Sequence, residues 1–390
     1  SLRSVNLTGW DTSSGNNFRQ MFIQCASLEE LDVSSFETGN VTTFKEMFYG
    51  CSSLRSLDLS RFDTSAATTF ASMFYNCASL ATLDVSMFNT SAATDLSRAF
   101  HGCKSLTELD LSRASTANVQ TFHGMFSGCS GLKRIDLSLL DTSSAVDLSY
   151  LFANCSKLEA VNIAGINTSS VTDFNHMFSE CSSLMSLDLS SFDTSAAKNL
   201  SFLFYNCASL ATLDLSSFDT SNVETMADLF TGCSRLAEVT LGESFAWVGS
   251  KCFLPQPSAG DIPGADGLWH AASDGAPYRP SDVPGNKADT YRAVAPGGEG
   301  DAAEDDSDVS NGAESTGAAE SANGAGAAED SGNAGCEGSE NAADTAGGAS
   351  TSNSENHAIA AEGMMALGRE DYMTALAMAN PSAAAPRVLA

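Results

Sequence analysis

The sequence predicts an α/β solenoid: a right-handed array of about nine strand-turn-helix coils with a parallel sheet on one face. Three observations support this prediction. Cysteine recurs every 26 residues from Cys25 to Cys233, and self-similarity at such a period indicates stacked repeats. Phenylalanine stands three residues before each of these cysteines, and leucine three residues after it. The segment FYNCASLATLD also occurs twice, at 74–84 and at 204–214.

Each unit combines a strand pattern with a helix pattern. Positions are counted from the cysteine of the unit, and coils 1–9 follow the order of Cys25 to Cys233. Positions +6 and +8 are aliphatic, as in Leu57 and Leu59, and this alternation predicts a half-buried strand. Asp-Thr-Ser follows and suits a helix N-cap. The next apolar residues have the three-and-four spacing of a helix, at Val41, Phe44, Met47, Phe48 and Cys51.

Two columns are expected to form the buried core of the array. The phenylalanine column includes Phe22, Phe48, Phe74, Phe126, Phe178 and Phe204. The cysteine column comprises Cys25, Cys51, Cys77, Cys103, Cys129, Cys155, Cys181, Cys207 and Cys233. Buried free thiols, which act as small hydrophobic groups, are the first interpretation of this column. Disulfides and a metal site are the alternatives, although C-x-x-C and C-x-x-H pairs, the usual zinc ligands, do not occur.

The full unit, F-x-x-C-x-x-L-x-x-L-D-L-S-x-F-D-T-S, resembles the BspA-like bacterial surface proteins, which carry 26-residue leucine-rich repeats. The resemblance covers residues 1–241. It implies a leucine-rich-repeat-like fold and a secreted or wall-associated protein that attaches to surfaces or to other cells. Residues 242–294, with segments such as GESFAWVGSKCF, look like the small β-rich capping module that closes such arrays.

The C-terminal part has a different composition. Residues 295–390 are rich in Ala, Gly, Ser and acidic residues, with Arg369 and Arg387 as the basic ones. Such a segment has too little apolar surface to offset its chain entropy, so we predict a mostly disordered acidic tail. The chain begins inside a repeat without a signal sequence, which predicts a fragment with its export signal upstream.

Composition argues against several functions. The net charge is −29, and the few basic residues are scattered, which argues against nucleic acid as a partner. The sequence contains no run of 18 apolar residues, so it does not predict a membrane span. The five histidines share no common geometry, and no nucleophile elbow, phosphate loop or HExxH motif occurs. We therefore expect no catalysis, no cofactor and no metal centre.

Position +7 is the candidate partner-binding site, because it lies between two inward-facing aliphatic residues on the strand side. Aspartate fills it at Asp32, Asp58, Asp84, Asp110, Asp136, Asp188 and Asp214. Unit charges about 5 Å apart repel by roughly 0.8 kcal/mol even in water, so the repetition needs a reason. One interpretation is that each carboxylate accepts local hydrogen bonds and braces its own coil. The other is an acidic surface for cations, including weak Ca²⁺ binding, or for basic partner segments.

Three functions remain open at this point. The first is an extracellular or cell-surface binding and adhesion module that recognises a host or neighbouring-cell surface protein, a matrix protein or a glycan. The second is a passive structural spacer or stalk of the bacterial surface, and the third is a regulatory binder of one protein. Position +10 varies between coils, from Ser35 and Arg61 to Met87 and Leu139. A spacer has no need of such variety, which favours binding.

Overall fold

The computed structural model describes residues 2–296. The predicted acidic tail beyond residue 296 therefore lies outside the described residues. The described part consists of stacked coils followed by a small β-sheet module. Each coil bridges the next in parallel through position −8, with partners 26 residues apart, in one row from Asn17 and Thr43 to Asn199 and Thr225.

Regular strands occur in four of the coils and in the C-terminal module. β1 (Arg134–Asp136) pairs in parallel with β2 (Ala160–Asn162), and β3 (Thr212–Leu215) pairs in parallel with β4 (Glu238–Leu241). In β3 the inward residues are Leu213 and Leu215, as the alternating pattern predicts. The predicted parallel sheet along one face is thus reduced to two short pieces.

The prediction of a helix in each coil is wrong, since residues 2–296 contain no α-helix. The predicted helical segment forms consecutive tight turns instead. In coil 1 the N–H groups of Phe18 and Phe22 donate to carbonyls of the next coil, at 3.0 and 2.8 Å. The N–H of Met21 donates three residues back to Phe18, at 3.4 Å. Every second backbone N–H donates to a carbonyl of the neighbouring coil. These N–H groups are therefore satisfied without the bond to the carbonyl four residues back that a helix would provide.

Positive φ angles at positions −5 and −1 interrupt any helix. In coil 1 these angles are 61° at Gln20 and 55° at Gln24, a conformation that does not continue a right-handed helix. Position −1 has positive φ in all nine coils, at Gln24, Gly50, Asn76, Gly102, Gly128, Asn154, Glu180, Asn206 and Gly232. Glycine and asparagine favour this conformation. The spacing of apolar residues is the same in such turns and in a helix. The glycine and asparagine residues at position −1 are the sequence feature that distinguishes the turns.

The core is a set of columns that run the length of the array. The phenylalanine rings at position −3 stack in one row from Phe22 to Phe230, with centroids of neighbouring rings 5.5–6.2 Å apart. The leucines at position +3 are 0–1% exposed, from Leu28 to Leu236. Each coil therefore buries its apolar side chains against the coil before it and the coil after it.

The C-terminal module continues the last parallel strand with antiparallel strands. β5 (Trp269–Ala271), β6 (Pro277–Tyr278) and β7 (Asp289–Arg292) join β3 and β4 in the order β3-β4-β7-β5-β6. A 3₁₀ helix spans Pro280–Asp282. Trp269 and Tyr291 are fully buried beneath this sheet. Residues 2–296 hold no helical segment with the length and hydrophobicity that a bilayer crossing requires.

Candidate binding surface

Threonine at position +13 links each coil to the next. The Thr142 hydroxyl donates to the carbonyl oxygen of Asn167 in the following coil at 2.8 Å, and it accepts from the N–H of Asn167 at 2.8 Å. The same donation occurs in coils 1–8 and in the half coil before them, from Thr12 to Thr220. These side chains are 0–8% exposed. The column is therefore an internal polar ladder that fixes the stacking of the coils.

The cysteine column is a second internal link. The thiol of Cys129 donates to the carbonyl oxygen of Phe100 in the preceding coil at 3.1 Å, and equivalent bonds occur from Cys51 to Cys233. All ten cysteines within residues 2–296 are free thiols. Burial raises the pKa of the eight thiols from Cys51 to Cys233, to about 12 at Cys77. The column thus supplies neutral thiol donors, a role that the sequence did not reveal.

The predicted partner-binding aspartates form an exposed row along the strand side. In each of the seven, Oδ1 accepts a hydrogen bond from the backbone N–H of the serine two residues later, at 2.8–2.9 Å. Asn162 fills the gap in the row and accepts from Ala164 at 3.2 Å. Each side chain therefore closes the bend that ends its strand segment, as an Asx-turn does.

These hydrogen bonds stabilise the ionised carboxylates. The hydroxyl and then the backbone N–H of the following serine hold the pKa below its ordinary value at Asp32, Asp58, Asp84, Asp136 and Asp188. At Asp110 the backbone N–H contributes most and the hydroxyl next. These six carboxylates are therefore ionised at neutral pH, and each carries a full charge to solvent.

Two further rows of side chains brace the other bends of the coil. At position +12, Asp63 accepts the N–H of Ser65 at 3.0 Å and its hydroxyl at 2.6 Å. At position −8, Asp95 accepts the N–H of Ser97 at 2.9 Å, and Thr43 accepts that of Lys45 at 3.2 Å. A short polar side chain thus supports each of the three bends of a coil. Sequence analysis singled out position +7 and assigned position +12, in Asp-Thr-Ser, to a helix N-cap, whereas it missed position −8.

A small polar network on the turn side joins coils 4, 5 and 6. Nε2 of His123 lies 3.0 Å from the Arg98 guanidinium, and Nδ1 lies 2.7 Å from the hydroxyl of Ser149. That hydroxyl is buried and donates to Asp147. Burial lowers the pKa of His123, although Asp147 opposes this, and burial raises the pKa of Asp173. Because the Ser149 proton is committed to Asp147, the network acts as a link between coils rather than as an activated nucleophile.

Aromatic side chains cover part of the same side in two short stacks. Tyr49, Tyr75 and His101 lie parallel with ring centroids 4.4 Å apart. Tyr150, His176 and Phe202 form the other stack, at 4.6 and 4.4 Å. Nδ1 of His101 is buried without a hydrogen-bond partner, and burial lowers the pKa of this imidazole to about 4. The ring faces cover one another, so the stacks contribute packing between coils.

No group of three or more His, Cys, Asp or Glu side chains within residues 2–296 is placed to hold a metal ion. The aspartates of the row belong to different coils and lie side by side instead of converging. The row is a line of separate carboxylates, and Oδ1 of each one accepts a hydrogen bond from the backbone of its own coil. Such an arrangement suits contacts with donor groups of a partner that is spread over several coils.

The stacked coils and their rows of exposed side chains define a repeat protein with an extended surface on its strand side. A family model described as "Mycoplasma protein of unknown function, DUF285" matches residues 2–108, 56–157 and 120–242. Together these matches cover more than half of the chain. The chain belongs to this DUF285 family.

One solved structure was also found to be similar. It is a leucine-rich cell surface protein from Faecalibacterium prausnitzii A2-165, 17% identical, with 61% of this chain and 72% of that chain covered. The TM-score is 0.33, so this similarity carries no argument about fold or function. No curated protein matches the chain.

Proposed function

We propose that the array is a binding module that recognises a partner through the exposed side chains of its strand side, without catalysis. The partner is a surface or matrix protein, or a glycan, of a host or of a neighbouring cell, and the protein acts outside the cell or on its surface. One observation supports this most directly. The exposed strand-side positions change from coil to coil, whereas the buried positions beneath them repeat.

Position +4 illustrates this contrast. It holds Glu29, Arg55, Ala81, Thr107, Lys133, Glu159, Met185, Ala211 and Ala237, and Met185 is 60% exposed. One position before it, the column is leucine in every coil. A passive array has no physical need for this variety, because exposed side chains contribute little to stability. A binding surface does need it, since specificity requires a particular pattern of charge and shape.

The aspartate row adds a constant charge to this variable surface. Oδ1 of each carboxylate is engaged by the backbone, which leaves Oδ2 for a donor on the partner. With the chain at a net charge of −29, the row favours partners with basic or hydroxyl groups and raises their rate of encounter. We therefore place Asp32, Asp58, Asp84, Asp110, Asp136, Asp188 and Asp214 within the proposed binding surface.

The alternative function is a passive spacer, and one observation favours it. Every bend at position +7 is braced in the same way, even where Asn162 replaces aspartate. The repetition of aspartate is therefore accounted for by bracing alone. Under this alternative the array only separates two other parts of a larger protein.

The full chain should be screened against immobilised matrix proteins, cell-surface proteins and glycans. A variant with Glu29, Arg55, Lys133, Glu159 and Met185 changed to Ala serves as the matched control, because alanine is the natural residue at Ala81, Ala211 and Ala237. We expect salt-sensitive binding that the variant loses while its melting temperature is retained. Absence of any binding, or equal binding by the variant, would support the spacer instead.

A further inference from the structure

Coil 4 lacks three of the large side chains that fill the core of the other coils. Position −4 is Met or Leu in the eight other coils, but it is Ala99 here. Position +11 is Ala114, whereas coils 1–3 and 5–8 have Phe, Leu or Ile. Position −7 is Leu96, as it is leucine in coils 6 and 8, whereas the coils on either side have Phe70 and Phe122. The loss is concentrated in one coil, so its effect on the packing is local.

These substitutions leave an apolar cavity that reaches the surface. The cavity has a volume of about 40 Å³, and Phe70, Met73, Leu96, Ala99 and Ala114 line it. Arg113 and Asp110 lie where it meets solvent. The other +11 side chains in coils 1–8 are buried, but Ala114 is only half-buried. The core of the array is thus open at this point on its flank.

A ridge of four side chains at position +10 runs past this opening. The corner ridge consists of Arg61, Met87, Arg113 and Leu139, from coils 2–5 in order. Met87 is 60% exposed and Leu139 is 68% exposed, and both arginines are exposed. In coils 1 and 6–8 position +10 is small, at Ser35, Gly165, Ser191 and Ser217, and in coil 9 it is Glu243. The ridge and the cavity therefore occupy the same few coils.

Both guanidinium groups of the ridge are available to a partner. Among residues 2–296 no hydrogen bond and no ion pair within 4.0 Å engages the side chain of Arg61 or Arg113. Guanidinium binds carboxylate in a planar two-bond geometry, more specifically than lysine does. The charge of Arg61 acts on Asp58. That of Arg113 acts on Asp84 and Asp110, but none of these carboxylates forms an ion pair with either guanidinium. An apolar side chain between these two arginines matches a partner that carries an apolar side chain between two carboxylates.

We propose that the corner ridge and the cavity at Ala114 form a docking site for a polypeptide segment with an aliphatic side chain flanked by acidic residues. The aliphatic side chain enters the cavity beside Met87 and Leu139, and the carboxylates pair with Arg61 and Arg113. This inference rests on the proposed binding function and names the chemistry of one partner site within it.

The size of the cavity selects an aliphatic group. A water molecule takes about 30 Å³ of the liquid, whereas a dry cavity that binds benzene has about 150 Å³. A cavity of about 40 Å³ therefore admits the end of a leucine or methionine side chain but not a whole aromatic ring. A dry, apolar lining also disfavours a polar occupant.

The small number of basic residues argues for a polypeptide rather than an anionic membrane. Membrane surfaces of this kind are recognised by clusters of about 4–8 basic residues, and the ridge offers only Arg61 and Arg113. Neighbouring coils are about 4.8 Å apart, so the two arginines are separated by about 10 Å. Alternate side chains of an extended segment face the same side. The pattern Glu-Ala-Leu-Ala-Glu therefore presents the leucine and both carboxylates to the ridge over about 13 Å, within reach of the long arginine side chains, and it is the pattern for a test.

The test uses the full chain and a twelve-residue peptide that contains Glu-Ala-Leu-Ala-Glu between glycine-serine flanks, titrated by calorimetry. Matched peptides replace the leucine by serine or both glutamates by glutamine. We expect each matched peptide to bind about tenfold more weakly, a difference of about 1.4 kcal/mol. Equal affinity for all three peptides, or no binding of the first, would overturn the proposal.

Protein variants locate the site on the ridge. A quadruple variant with Arg61, Met87, Arg113 and Leu139 changed to Ser, the residue at Ser35, Ser191 and Ser217, should lose peptide binding. Met185→Ser is the control, since Met185 and Met87 are both 60% exposed, and it should bind normally. Ala114→Phe should fill the cavity, raise the melting temperature and weaken binding. Loss of affinity in Met185→Ser equal to that in the quadruple variant would contradict the site.

The two proposals can fail separately. If the screened partners bind the chain but the quadruple variant binds them equally, the binding function stands and the ridge is not the site. If the peptide binds the ridge but no natural partner is found, the docking chemistry stands and the adhesion function is weakened. Binding of phosphatidylglycerol vesicles in place of the peptide would overturn the polypeptide as occupant.

Discussion

The interior and the exterior of the array use polar side chains in opposite ways. Inside, Thr142 and Cys129 form hydrogen bonds with neighbouring coils, and both are almost fully buried. Outside, Asp58 and Asp63 form hydrogen bonds with the backbone of their own coil, two residues away. The interior columns therefore determine how coils stack, and the exterior rows determine how each coil bends.

This difference explains which positions tolerate change. Asparagine replaces aspartate in the exterior rows at Asn89, Asn162 and Asn167 with the same type of hydrogen bond. Position +13 is threonine in coils 1–8, with no serine or valine. A buried bond to another coil leaves two groups unpaired when it is lost, whereas an exposed local bond is replaced by water. The exterior rows therefore tolerate substitutions that the interior threonine column does not.

Replacing Thr142 with Val should give the largest effect. The change removes the donor to Asn167 and the acceptor for its N–H, both at 2.8 Å, within a site 4% exposed to solvent. Each buried group left unpaired costs about 1–3 kcal/mol. Urea unfolding of the full chain, followed by circular dichroism, measures the loss of stability.

Thr68→Val is the matched control for this experiment. Thr68 also donates to another coil, to the carbonyl of Thr42 at 3.2 Å, but its hydroxyl is exposed. We expect a change within about 0.5 kcal/mol, as for most surface substitutions. Equal losses of stability in the two variants would show that buried and exposed hydrogen bonds between coils contribute equally.

Changing Asp58, Asp84, Asp110 and Asp136 together to Asn should lower the melting temperature at pH 7, because a neutral acceptor forms a weaker hydrogen bond. The pKa of each of these carboxyls is lowered in the folded state. Their contribution is therefore complete above the unfolded-state pKa of about 3.9 and declines as the pH falls through the lower folded-state pKa.

The difference in melting temperature between the wild type and this quadruple variant should thus be constant from pH 5 to pH 7 and should shrink below about pH 4. A variant with a higher melting temperature at pH 7 would show that repulsion within the row exceeds its bracing. The aspartate row would then be maintained for a ligand, and millimolar Ca²⁺ or a basic peptide should stabilise only the wild type.

His101→Tyr should give the smallest effect, and it should be visible only through pH. Burial, followed by Arg98 and His123, lowers the pKa of His101 to about 4. The unfolded imidazole titrates near 6.5, so between these values the unfolded state binds more protons and acid reduces stability. Tyrosine occupies the same position at Tyr49 and Tyr75, so the stack should persist.

We expect the melting temperature of the wild type to fall more steeply than that of His101→Tyr between pH 6.5 and pH 4. Below about pH 4 the two curves should run parallel. Identical slopes throughout would mean that this imidazole is protonated in the folded protein.

The sequence predicted the columns but not the path of the chain between them. Leu213 and Leu215 alternate as a strand, and Phe22 to Phe230 form one buried row. Both patterns depend only on which side chains face inward. The turns at Gln20 and Gln24 were missed because their N–H acceptors lie in the next coil, and apolar spacing does not report hydrogen-bond partners. The signal present in the sequence was the column of Gly50, Asn76 and their equivalents.

The candidate site was predictable to a similar degree. The alternation of inward and outward residues predicts the exposed row from Asp32 to Asp214. The hydrogen bond from each aspartate to the backbone N–H two residues later was one of two interpretations of that row, and the other was an acidic binding surface. The corner ridge appears in the sequence as variation at position +10. The interpretation of the ridge as a docking site depends on the cavity beside it. That cavity is visible only in the three-dimensional packing around Leu96, Ala99 and Ala114.

The direction of the bonds between coils has a mechanical consequence. The bonds of the threonine, cysteine and turn columns run along the axis of the stack, so tension applied to the two ends loads the terminal coil first. Each coil released this way adds 26 residues of free chain, about 90 Å when extended at about 3.5 Å per residue. The array is therefore an extensible tether that lengthens in equal steps under load, and each step dissipates energy before the next coil is stretched.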